Sequence, residues 1–135
     1  MKHLLALLGM VAVLALAVAC SDNRASQSGP IFRTLTPLEA KTLIAQRSGL
    51  AIIDLREPQE LHEGSIAGSQ LMPFREIAQG RLTLPNDRPL LLICAIGGRS
   101  YMVGQYFSRK GYPEIYSLEG GIAAWKQAGL PVEYH

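Results

Sequence analysis

An α/β fold on a parallel sheet is predicted from three features of the sequence. Two short apolar runs, Leu50–Leu55 and Leu90–Ile93, are bounded by turn residues, which fits strands buried on both faces better than helix turns. Segments with helical spacing lie between the strand-like runs, and strands alternating with helices pair in parallel through right-handed crossovers. The Leu90 run also passes directly into Cys94-Ala95-Ile96-Gly97-Gly98-Arg99-Ser100, a strand end followed by a glycine-containing loop and a helix start. The 135 residues suffice for one domain of ordinary size.

Taken in order, residues 1–19 read as a signal peptide: Met1-Lys2-His3 is positive, and Leu4 to Ala19 is apolar and ends in small residues. Leu16-Ala17-Val18-Ala19-Cys20 resembles a bacterial lipoprotein signal, with Ala17 where leucine is usual, so acylation is expected at Cys20. An ordinary secreted protein is the alternative. Several acyl chains would anchor the chain without spanning the membrane. Residues 20–30 form a polar, flexible tether, and the folded domain occupies 31–135. Ser21 in place of aspartate favours the outer membrane, on the periplasmic side of the cell envelope.

Ile31–Leu35 alternates as a strand, and Thr36-Pro37-Leu38-Glu39 supplies an N-cap, a first-turn proline and a capping-box glutamate. The helix that follows runs to about Arg47, with Leu38, Leu43 and Ile44 on its apolar face. After the Leu50–Leu55 strand come a charged exit and short helix through Leu61, a strand at Ser69–Met72 and a short helix at Phe74–Ala78. A helix begins near Ser100, Ile115–Leu118 forms a fifth strand, and Trp125 sits in a last helix as a core residue.

Removing the leader takes away Lys2, leaving twelve basic against eleven acidic residues, a balance that gives no case for nucleic acid. With Cys20 acylated, Cys94 has no disulfide partner in the chain, and an unpaired thiol in an oxidising compartment points to function. Unpaired amides and the dipole at a helix N-terminus favour an anion. Gly97 and Gly98 allow the loop to turn its amides inward, and Arg99 adds a cation, so Cys94 is expected to react as a thiolate. The plain alternative is a buried structural cysteine. His62 has no partner at metal-ligand spacing, and no metal or other cofactor is expected.

At four places in order, from Leu35 to Val132, the sequence resembles the rhodanese family. Asp54, Arg56, Glu57, Pro58, Glu60, Gly64, Ile66 and Gly68 match one of its segments, while Ser65 and Ala67 replace a usual histidine and proline. The glycine pair before the Trp125 helix and the Gly129-Leu130-Pro131-Val132 ending match another. The resemblance implies a three-layer fold, a five-stranded parallel sheet of order 1-5-4-2-3 flanked by helices. In that order Arg56 falls near the thiol and could bind substrate, with Asp54 in support; alternatively Arg56 pairs with Glu57 or Asp54 to fix its loop.

The family chemistry implied is sulfur transfer through a Cys94 persulfide, from a small-molecule or protein donor to a thiol or cyanide, with Ala95, Ile96, Gly97, Gly98, Arg99 and Ser100 lining the site. A monomer is expected. Phosphatases of the same fold place five residues between cysteine and arginine; here there are four, Ala95 to Gly98, which suits a single outer sulfur rather than a phosphoryl group. A third possibility is a tethered persulfide-binding module with little turnover. Relatives active on thiosulfate often carry cations where Ala95 and Ile96 stand, so thiosulfate is expected to be a poor donor and a persulfide a better one.

Overall fold

A computed structural model describes residues 29–135; the leader, Cys20 and most of the tether lie outside the described residues. Five strands, β1 (Ile31–Leu35), β2 (Ala51–Asp54), β3 (Ser69–Leu71), β4 (Leu90–Ile93) and β5 (Glu114–Leu118), form one sheet of order β1-β5-β4-β2-β3. Every pairing is parallel. The helices are α1 (Pro37–Gln46), α2 (Phe74–Ala78), α3 (Gly98–Arg109) and α4 (Gly121–Gln127), with a 3-10 helix at Pro58–Glu63.

Side chains of a strand point alternately to its two faces, so β4 feeds two cores at once. Leu90, Leu92 and Cys94 pack on one side with Ile53, Ile77, Val103 and Ile115, under α2 and α3. Leu91 and Ile93 pack on the other with Ala40, Ile122 and Trp125, under α1 and α4. All four β4 residues are fully buried, which is why their stretch of sequence carries no polar position.

The capping box at Thr36 and Glu39 forms as the sequence predicts: Thr36 N–H donates to Glu39 Oε2 at 2.8 Å and Glu39 N–H donates to Thr36 Oγ1 at 3.4 Å. Two local expectations change. Leu38 lies in the open first turn of α1 and is 63% exposed, so Ala40, Leu43 and Ile44 carry that helix's buried face instead. The short helix after β2 takes 3-10 geometry, with Glu60 accepting from Glu57 N–H at 2.7 Å to close its first turn.

Helix α3 starts two residues earlier than the sequence suggests. Gly97 has φ +97°, a left-handed conformation that L side chains rarely adopt, and it turns the chain into the helix immediately. Trp125 is a core residue, with its indole N–H donating to Pro131 O at 2.9 Å.

Candidate active site

Cys94 follows the last residue of β4, so the strand delivers its side chain to the carboxyl edge of the sheet on the α3 side, where open parallel sheets bind ligands. It is a free thiol, 1% exposed. Gly97 N–H donates to Sγ at 3.1 Å and Ser100 N–H at 3.4 Å. Both amides belong to the start of α3, whose first-turn N–H groups have no carbonyl partner within the helix. The sulfur is therefore the acceptor these amides require, and a negative charge on it strengthens both bonds.

A second set of contacts comes from hydroxyls. The Cys94 thiol donates to Ser100 Oγ at 3.5 Å, Ser100 Oγ donates to Gly97 O at 3.1 Å, and Ser117 Oγ donates to Ser100 Oγ at 2.9 Å. Ser100 and Ser117 are almost completely buried. When the sulfur is an anion, the Ser100 hydroxyl can turn from Gly97 O to the sulfur while Ser117 continues to donate to it. Ser117 was not legible as a site residue. Its place follows from register, since it pairs with Leu92 and so faces the same side as Leu92 and Cys94; a lone serine in an apolar strand is the available signal.

The loop is held from below by α4. Ile122 N–H donates to Cys94 O at 2.8 Å and Ala123 N–H to Ala95 O at 3.1 Å. That approach requires glycine at position 121, where φ is +59° and a Cβ would collide with Cys94 O and lie 2.6 Å from the Ala95 carbonyl carbon. Of the remaining loop residues, Ile96 is 77% exposed at the rim, Gly98 is exposed, and Ala95 is half-buried.

Arg56 is turned inward. Its side chain is completely buried, with Nε and Nη2 donating to Asp54 Oδ1 and Oδ2 at 3.0 and 2.7 Å. Nη1 donates to Glu60 O at 3.2 Å and Nη2 also to Gly64 O at 2.9 Å. With its donors taken up in this way, Arg56 and Asp54 form an internal brace for the 3-10 segment, the Asp54 pairing that the sequence offers as the alternative to substrate binding.

Arg99 is also paired, which the sequence did not suggest. Its Nη1 and Nη2 donate to Glu60 Oε2 and Oε1 at 2.9 and 2.7 Å, across 39 residues. Hydrogen bonding from Arg99, helped by the Glu57 amide and the nearby charges of Arg99 and Arg56, holds the Glu60 carboxyl down to about 2. Glu60 is therefore ionised at neutral pH. Asp54, Arg56, Glu60 and Arg99 form a continuous chain of contacts from the end of β2 to the Cys94 loop.

His62 is exposed and lies against Gln59 O, and among the described residues no three His, Cys, Asp or Glu side chains gather as a metal site. A separate apolar groove of about 440 Å³ between α2 and α3, lined by residues including Phe74, Ile77, Met102 and Phe107, does not contain Cys94.

The rhodanese-like domain family matches residues 36–128. This chain belongs to that family. It is 33% identical over 89 residues to a sulfurtransferase of Allochromatium vinosum, covering 66% of this chain and 83% of that protein. It is 30% identical over 95 residues to the thiosulfate sulfurtransferase GlpE of Pseudomonas aeruginosa, covering 70% and 84%. Among solved structures, a rhodanese-related protein from Thermoplasma volcanium superposes with a TM-score of 0.66 at 32% identity, over 76% of this chain and 99% of that one.

The close approach of α4 to the loop generates a prediction. Gly121→Ala places a methyl group against the Cys94 and Ala95 carbonyls in a strained backbone conformation, and should cost roughly 2 kcal/mol or more. Urea unfolding should show a lower midpoint at unchanged slope, and the Cys94 alkylation rate should fall in the folded variant.

Proposed function

We propose that this protein is a sulfurtransferase that carries sulfane sulfur on Cys94. The Cys94 thiolate attacks the outer sulfur of a donor, the new S–S bond forms, and the donor's own S–S bond breaks with its electron pair leaving on the donor remnant. That remnant is sulfite when the donor is thiosulfate and a thiolate when it is a persulfide. An acceptor thiolate or cyanide then attacks the outer sulfur of the Cys94 persulfide, and the departing pair restores the Cys94 thiolate. A covalent intermediate divides one transfer into two easier steps.

The observation that carries this reading is the pair of N–H donors from Gly97 and Ser100 converging on Sγ, with the Ser100 hydroxyl beside them. Preorganised donors aimed at an anion need no reorganisation when charge develops there. Phosphoryl transfer is less well served, because the loop places only four residues between Cys94 and Arg99 and the guanidinium is engaged by Glu60. The sulfurtransferase relatives support the same choice.

The test is intact-mass analysis. Incubation with thiosulfate or a low-molecular-weight persulfide should add one sulfur to the chain, cyanide or a thiol should remove it, and Cys94→Ser should do neither while remaining folded. Sulfur that loads and never leaves would mean a binding module, and phosphate release from an aryl phosphate would mean a phosphatase.

We further propose that the domain works at the periplasmic side of a bacterial envelope, as a monomer held to the membrane by acyl chains on Cys20. Support comes from the small residues before Cys20 and the polar tether after it. In a bacterial host, Cys20→Ala should abolish acyl labelling and release the protein from membranes. Persistent labelling would refute the anchor.

A further inference from the structure

Arg99 is the only cationic side chain between Cys94 and Ser100, and a rhodanese loop that captures a dianion such as thiosulfate gains from a free positive charge at this place. In this protein that charge is not free. Both Arg99 terminal nitrogens point at the Glu60 carboxylate, at 2.9 and 2.7 Å. The carboxylate is held from a second side, because Oε2 also accepts the Glu57 amide at 2.7 Å, and the Glu60 carbonyl accepts from buried Arg56. A planar guanidinium joined to a carboxylate by two parallel bonds is the geometry that pairs the two charges most completely. Nothing else in the loop supplies a cation: Ala95 and Ile96 are uncharged, Ile96 stands 77% exposed, and Glu57, whose charge acts on Arg99, is acidic.

We propose that Glu60 is a specificity-determining residue which, by pairing with Arg99, cancels the loop's cation and turns the site away from dianionic sulfur donors toward sulfane sulfur carried on an organic group of low charge. This rests on the sulfur-transfer reading above for its biological meaning, but the electrostatic claim stands on the geometry alone. The anion that the site must hold is the one on Cys94 itself, and backbone N–H groups and the Ser100 hydroxyl serve it without a free side-chain cation. What Glu60 removes is the long-range attraction that would draw in a second, mobile anion. The exposed Ile96 offers apolar contact to an organic donor in its place.

The test compares alkylation of Cys94 by anionic iodoacetate with alkylation by neutral iodoacetamide, read on the Cys94 peptide by mass spectrometry. Both reagents attack the same thiolate, so the ratio of their rates reports the local potential and cancels any change in thiol reactivity. Glu60→Gln keeps the size of the side chain and its bond to the Glu57 amide while removing the charge. It should raise the iodoacetate-to-iodoacetamide ratio by about threefold at low ionic strength, and added salt should erode the gain. The Michaelis constant for thiosulfate should fall in the same variant.

An unchanged ratio in folded Glu60→Gln overturns the proposal. Should that variant not fold, the unmodified protein decides: a ratio nearly independent of salt supports a cancelled cation, and a steep decline with salt overturns it. A raised ratio without any turnover of thiosulfate or persulfide would support the role of Glu60 and count against sulfur transfer, so the two readings fail separately.

Discussion

Two backbone N–H groups on one sulfur atom, Gly97 and Ser100 on Cys94, are the interaction on which the rest of the domain depends. Each requires a different part of the fold. Burying all of β4 fixes where the strand ends, and a parallel sheet puts that end beside the start of the next helix. The left-handed Gly97 lets α3 begin soon enough for its amides to reach back to the sulfur, and α4 holds the Cys94 and Ala95 carbonyls from the other side. An anion on Cys94 thus meets donors that are already in place, at no cost in loop ordering when the charge forms.

The second organising feature is the chain of charges that joins β2 to the loop. Buried Asp54 and Arg56 stabilise little by themselves, since desolvation offsets much of their attraction, yet removing either partner would leave an uncompensated charge in the core. Their effect is positional. Arg56 grips the Glu60 and Gly64 carbonyls, which sets the 3-10 helix, which in turn presents the Glu60 carboxylate to Arg99. Charge that the sequence displays as cationic at the loop is delivered by the fold as a neutral pair.

Most of the fold was legible because its signals are local. Apolar runs, the Thr36–Glu39 capping box and the glycine turns each act within a few residues of chain, and the resemblance to rhodaneses supplied the strand order. Cys94 was legible for the same reason, its strand, glycines and helix start being contiguous. What the sequence concealed was pairing over distance. Ser117 reaches Ser100 through the register of β4 against β5, and Glu60 reaches Arg99 across 39 residues. Glu60 was recognisable as a matching family position but carried no visible role. For Arg56 the sequence left two directions open, outward to the thiol or inward to a neighbouring carboxylate; two residues from Asp54, it turns inward to that carboxylate.

Amide proton NMR tests the central claim, that the loop amides are placed to stabilise an anion on the Cys94 sulfur. As Cys94 is titrated from thiol to thiolate, the Gly97 and Ser100 N–H resonances should move downfield together, following the stronger hydrogen bonds to a charged acceptor. The movement should vanish in Cys94→Ser. Gly97 and Ser100 resonances that stay fixed while Cys94 ionises would contradict the account, because the sulfur would then carry its charge without help from the cradle built around it.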